Sequence, residues 1–158
     1  MTKSGVAFGT SGARGLATAM TDSVCYAYAK GFLQYLESIG EIKRAGEAVA
    51  VGGDLRPSTS RVMEAVCRAA DDIGYRAVNC GKIPSPAVAL FGFENNIPSI
   101  MVTGSHIPDD RNGIKFNKCT GEVLKSVALS LVLELALEHM GEAENYSFGL
   151  ADAITFRA

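Results

Sequence analysis

Residues 99–118 read SIMVTGSHIPDDRNGIKFNK. The run 99–104 is apolar up to Val102 and breaks at Gly104. Residues 113–118 alternate, with Ile114 and Phe116 apolar and Lys115 and Asn117 polar, which is the period of a strand with one buried face. A short polar loop joins the two. A parallel crossover needs a dozen or more residues, so the second strand must return antiparallel to the first. The loop carries Ser105 and His106 near its tip, then Asp109, Asp110 and Arg111. Either it is an ordinary surface turn or it presents a nucleophile.

Working towards the N-terminus, helices and strands alternate. Residues 85–96 predict a helix, with Ser85 as cap and Pro86 at the first helical position. Residues 75–81 predict a strand, and 58–74 a helix opened by Ser58 or Thr59 and ended by Gly74. Ala48–Val51 predicts a buried strand that runs into glycines. Residues 21–40 predict a helix capped by Thr21 or Asp22 and closed by Gly40; Val24, Tyr28, Phe32, Tyr35, Leu36 and Ile39 recur at helical spacing. This order implies an α/β domain of three α/β/α layers around a mixed, mostly parallel sheet of about four strands, with one antiparallel edge strand.

Towards the C-terminus, 126–140 predicts a helix whose polar residues Ser126, Ser130, Glu134 and Glu138 form one narrow stripe. A surface helix needs only one apolar stripe, so this one is prepared to bury most of its circumference, in its own domain or against another. His139 near its end suits the helix dipole. The domain is expected to span 1–140, and 141–158 to be a linker or the start of a next domain.

Composition narrows the function classes. The 158 residues are 47% hydrophobic and 20% charged, which suits a globular core. Fifteen basic against 17 acidic side chains leave no sign of a nucleic-acid or anionic-membrane surface. Cys25, Cys67, Cys80 and Cys119 are dispersed, with no CxxC pair; buried reduced thiols are the expectation. The opening MTKSGVAFGTSG has no long apolar segment of a secretory signal, so cytoplasmic residence is the default.

Three segments hold chemistry. FGTSGARG (8–15) packs three glycines, Thr10, Ser11 and Arg14 together. Glycines let backbone N–H groups approach an anion, and arginine grips phosphate with a planar fork, yet a plain glycine turn reads the same way. VGGDLRPST (51–59) runs from a strand through Asp54 and Arg56 to a helix N-terminus, a pair that is more often structural than catalytic. The third is the serine loop. It follows a strand, where ligands collect at the carboxyl edge of open α/β sheets. It lacks the second glycine of a GxSxG elbow, and His106 directly follows Ser105, so a hydrolase triad is a poor fit.

Taken together and in this order, FGTSGARG, GGDLRPS and TGSHIPDDRNGIKF resemble the first of the four domains of the α-D-phosphohexomutase family, the phosphomannomutases and phosphoglucomutases. The resemblance spans roughly 8–140. It implies that Ser105 is a phosphoserine that lends its phosphoryl group to a hexose phosphate and receives another back from the bisphosphorylated sugar. It implies that His106 supports the loop, that Lys115 is an acid–base or charge-stabilising residue, and that Arg14 reaches the same centre with Thr10 and Ser11 close by as substrate-binding residues. Such chemistry needs positioning and positive charge more than covalent machinery.

The family loop usually has Ala before the serine and Asn after the histidine, whereas Gly104 and Ile107 stand here. The resemblance further implies Mg²⁺, held by a DxDxD triplet of the second domain and an oxygen of the phosphoserine, and a bisphosphate activator such as glucose 1,6-bisphosphate. This sequence has no such triplet; Asp71–Asp72 and Asp109–Asp110 have the wrong pattern. Only Ser105, through its phosphate, is available as a metal ligand. The implied partners are hexose phosphates and the remaining domains of the same enzyme, and this chain alone is expected to be inactive. A stand-alone phosphoprotein or sugar-phosphate-binding module without catalysis is the alternative. Mannose, glucose and glucosamine phosphates are not distinguished, because those contacts come from domains outside this sequence.

Overall fold

A computed structural model describes residues 5–9, 12–43, 46–123, 132, 134–136 and 138–139. Ten elements follow one another: β1 (Ala7–Phe8), β2 (Gly12–Leu16), α1 (Asp22–Ser38), β3 (Ala48–Gly53), α2 (Thr59–Asp72), β4 (Arg76–Lys82), α3 (Ser85–Glu94), β5 (Ser99–Val102), β6 (Arg111–Lys118) and β7 (Gly121–Glu122). The strands form one sheet in the order β1-β2-β6-β5-β3-β4, with β7 paired to β6.

The α/β class with a mixed sheet stands. The sheet is wider and less parallel than the sequence suggests. Only β3–β4 and β3–β5 are parallel; the ladders of β6 with β2, β5 and β7, and of β1 with β2, are antiparallel. The returning strand β6 is antiparallel as its short loop requires, but it is internal rather than an edge. The hairpin β1–β2 has added itself to the free side of β6. Strand β2 escapes a sequence reading because GARGL has no apolar alternation: only Ala13 points into the main core.

The helices lie on both faces. On one, α1 and α2 cover Val49, Val51, Ile100, Val102, Ile114 and Phe116. Burying each large aliphatic or aromatic side chain there contributes about 1.5–3 kcal/mol. Phe32 of α1 meets Phe116 of β6 at 4.6 Å between ring centroids. On the other face, Val88 of α3 packs on Ala50 and Met101. Thr21 caps α1 as expected, its Oγ1 accepting from the Val24 N–H at 3.3 Å. Helix α3 starts one residue earlier than its sequence suggests: Pro84 holds the cap position and Ser85 makes no capping bond.

Of 126–140, the described residues Val132, Glu134–Ala136 and Glu138–His139 are helical. Val132 and Ala136 are buried and Glu134 and Glu138 exposed, in keeping with the narrow polar stripe. This stretch packs tightly on α1. A Cβ on Gly31 would stand 2.9 Å from the Val132 carbonyl oxygen. His139 is buried and its Nε2 lies 2.5 Å from Gln34 Oε1, so it ties the two helices together rather than only complementing a dipole. Residues 141–158 lie outside the described residues. The four cysteines are free thiols; burial pushes Cys25 and Cys67 up to about 12. No helix among the described residues is long and apolar enough to cross a membrane.

Candidate functional site

Sheet register brings the basic candidates to one face. Ile114 and Phe116 point into the α1 core, so the intervening Lys115 points to the α3 side, where its pairing partner Met101 also lies. Ala13 faces α1, so Arg14 takes the α3 side as well. Arg14 pairs with Gly113, and Lys115 pairs with Gly12. The two cations are therefore diagonal neighbours across the β2–β6 ladder, close enough for long side chains to act together. Both are half-exposed.

Two glycines keep this face clear. A Cβ on Gly12 would collide with the Ile114 carbonyl and lie 2.9 Å from the Lys115 Cα. A Cβ on Gly113 would lie 3.0 Å from both the Arg14 Cγ and the Thr103 carbonyl oxygen, so the arginine stem lies across a position where a side chain has no room. Residues 12–15 of the glycine-rich first segment thus belong to β2, which lays the Arg14 stem across Gly113. Thr10 and Ser11 lie outside the described residues.

Ser105 follows β5 by three residues. The Thr103 N–H donates to the Gly113 carbonyl at 2.9 Å and ends the ladder. Ser105 then takes φ 54°, in the left-handed region that a non-glycine residue rarely adopts. Holding it there costs about 1–3 kcal/mol, which the surroundings must offset. Its N–H donates to Thr103 Oγ1 at 2.9 Å, and its side chain is exposed. His106 is exposed too, and its Nδ1 lies 3.4 Å from Ser105 Oγ, a long contact between sequence neighbours.

The support comes from Asp54 and Arg56, beyond the end of β3. Asp54 accepts from Thr59 Oγ1 at 2.6 Å, Thr103 Oγ1 at 2.9 Å, the Arg56 N–H at 3.1 Å and the Gly104 N–H at 3.1 Å. Partial burial pushes its carboxyl up. The hydrogen bonds from Thr59, Arg56, Thr103 and Gly104 together outweigh that and hold it below the ordinary carboxylate value. Behind it, the buried Asn112 donates to Ser58 Oγ at 2.9 Å and Thr59 Oγ1 at 3.1 Å, joining the start of α2 to β6. The sequence marks Asp54 and Arg56 as a structural pair and leaves open what they hold; the structure shows that they hold the serine loop.

A family model described as phosphoglucomutase/phosphomannomutase, alpha/beta/alpha domain I, matches residues 5–136. The chain belongs to that family. It is 47% identical over 123 residues to a phosphomannomutase of Sinorhizobium fredii and 43% identical to one of Salmonella muenchen, covering 77% and 78% of this chain. A phosphoglucosamine mutase of Thermotoga neapolitana is 32% identical over 112 residues. A solved structure from Thermus thermophilus, provisionally described as a phosphomannomutase, superposes with a TM-score of 0.73 at 25% identity over 85% of this chain. The chain spans about a quarter of the curated relatives it matches (26%, 25% and 24% of their lengths) and 30% of that solved chain.

The described residues of this phosphohexomutase domain do not by themselves fit a metal ion. Among those described, no three His, Cys, Asp or Glu side chains gather closely enough to hold one. The loop acid Asp109 is ion-paired with Arg56 Nη1 at 3.5 Å and otherwise open to solvent.

Proposed function

We propose that this domain carries the phosphoserine of a phosphohexomutase that interconverts hexose 6-phosphates and hexose 1-phosphates. The observation that supports the reading best is the conformation of Ser105. It is an exposed hydroxyl in a strained backbone, just past the carboxyl end of β5, whose neighbour β6 carries Lys115.

In the forward step the bond between phosphorus and Ser105 Oγ breaks as a sugar hydroxyl oxygen bonds to phosphorus. The hydroxyl proton passes to a base, and the serine oxygen leaves as a hydroxyl after taking a proton from an acid. In the return step Ser105 Oγ loses its proton and bonds to the other phosphorus of the bisphosphorylated sugar, the sugar O–P bond breaks, and the departing sugar oxygen takes a proton, which regenerates the phosphoserine. Lys115 and Arg14 sit where positive charge stabilises the migrating group, which is where most of the catalysis of such transfers originates. Lys115 is the candidate for moving the proton, and His106 steadies the loop beside Oγ.

Mg²⁺ and a bisphosphate activator belong to this reading only as the resemblance implies them for the complete enzyme. Ser105 would offer a metal one phosphate oxygen, too few by itself for a hard cation. Cytoplasmic residence is part of the same proposal. The test is mutase turnover of hexose phosphates by the complete enzyme. Ser105→Ala, with an unchanged melting temperature, should abolish it. Wild-type turnover in a well-folded Ser105→Ala enzyme would refute the assignment.

A further inference from the structure

A guanidinium has five N–H groups in a fixed fork, and in Arg56 all five have acceptors. Nε donates to Asp54 Oδ2 at 3.2 Å. Nη1 donates to the carbonyls of Pro108 at 2.6 Å and Arg111 at 3.0 Å. Nη2 donates to those of Ile107 at 2.6 Å and Ser105 at 3.3 Å. Four carbonyls of one loop thus converge on one cation, whose side chain is only 9% exposed. Gly104 lets it approach: a Cβ there would run into the guanidinium carbon.

We propose that Arg56, pinned by Asp54, is the positioning residue that presets the serine loop for phosphoryl transfer. The proposal deepens the reading of Ser105 as phosphoryl carrier and rests on it. Arg56 hydrogen-bonds the loop through its carbonyl oxygens and otherwise meets only the exposed Asp109 carboxylate, at 3.5 Å, so its part is geometric. It turns the carbonyls of Ser105, Ile107, Pro108 and Arg111 inward, and the loop can then close only with Ser105 in the left-handed region and its side chain outward. An in-line transfer tolerates little misplacement, and an ångström of error can cost about a hundredfold in rate. The site thus stores its geometry in a residue that meets no substrate.

Lysine is the discriminating replacement. It keeps the charge beside Asp54, but its ammonium has three donors without the planar fork, so it cannot hold four carbonyls and a carboxylate at once. The experiment compares wild type, Arg56→Lys and Ser105→Ala in the complete enzyme. It reads kcat and KM for mannose 1-phosphate, melting temperature, and amide hydrogen exchange at residues 104–111. Arg56→Lys should lower kcat at least about tenfold while KM stays within about threefold, because the loss falls on the transition state rather than on binding. The Gly104 and Ile107 amides should exchange faster, while those of β3 stay as in wild type. Wild-type kcat in Arg56→Lys would overturn the proposal, whether or not exchange quickens. So would a lowered kcat with unchanged exchange at 104–111. If Ser105→Ala turns over normally, the phosphoserine reading fails, and the exchange data alone then decide whether Arg56 holds the loop.

Discussion

Replacing Asp54 by alanine removes one carboxylate and four partners' hydrogen bonds at a stroke. The Arg56 guanidinium, with only 9% of its side chain exposed, loses its counter-ion. Removing one member of a buried pair costs about 3–5 kcal/mol. Asp54 is itself 24% exposed, so water can partly replace it and the lower end applies. Thr59 Oγ1 still accepts from Asn112 and Thr103 Oγ1 from the Ser105 N–H, but both hydroxyls lose the carboxylate to which they donate. We expect a loss of about 3 kcal/mol, or a fall in melting temperature of roughly 6–12 °C for a domain of this size. Urea unfolding of the 158-residue chain at pH 7 measures it. The pH dependence has a definite sign. The folded carboxyl lies below its ordinary value of 3.8, so its contribution is present above that pH and lost as pH falls through the folded value. The gap between wild type and Asp54→Asn should therefore be level from about pH 5 to 8 and narrow below about pH 4. An Asp54→Ala chain within about 0.5 kcal/mol of wild type, the range of an ordinary surface change, would refute the reasoning.

Lys115→Ala in the complete enzyme should lower kcat at least about tenfold, about 1.4 kcal/mol of barrier, and Arg14→Ala should act in the same direction; both side chains are half-exposed, so melting temperatures should hold. Unchanged kcat with a collapsed melting temperature would make either residue structural. The 158-residue chain alone should fold cooperatively yet show no mutase turnover in a coupled assay with Mg²⁺, mannose 1-phosphate and glucose 1,6-bisphosphate. Robust turnover abolished by Ser105→Ala would show that it completes its own site.

What the sequence reveals follows from how local each signal is. Helix α1 is readable because Thr21 caps it and Gly40, at φ 72°, closes it. The antiparallel sense of β6 is readable because the loop before it is too short for anything else. Strand β2 is not, because GARGL has a single side chain in the core, Ala13, and its glycines serve close approach to neighbouring backbone. The grouping of Arg14 with Lys115 needs the β2–β6 register, which no local pattern encodes. Arg56 is the clearest case. Its acceptors in the loop lie 49, 51, 52 and 55 residues away and are backbone carbonyls, which leave no mark on side-chain identity. Ser105 itself is visible only through the motif around it, while its left-handed backbone belongs to the folded loop.

The central claim is that Ser105 carries the phosphoryl group, and peptide mapping tests it most directly. The complete enzyme is incubated with labelled glucose 1,6-bisphosphate, digested, and the label located by mass. The account predicts label on the peptide that contains Ser105, approaching one per chain, and none in Ser105→Ala. Label on another serine with Ser105 clean would contradict it.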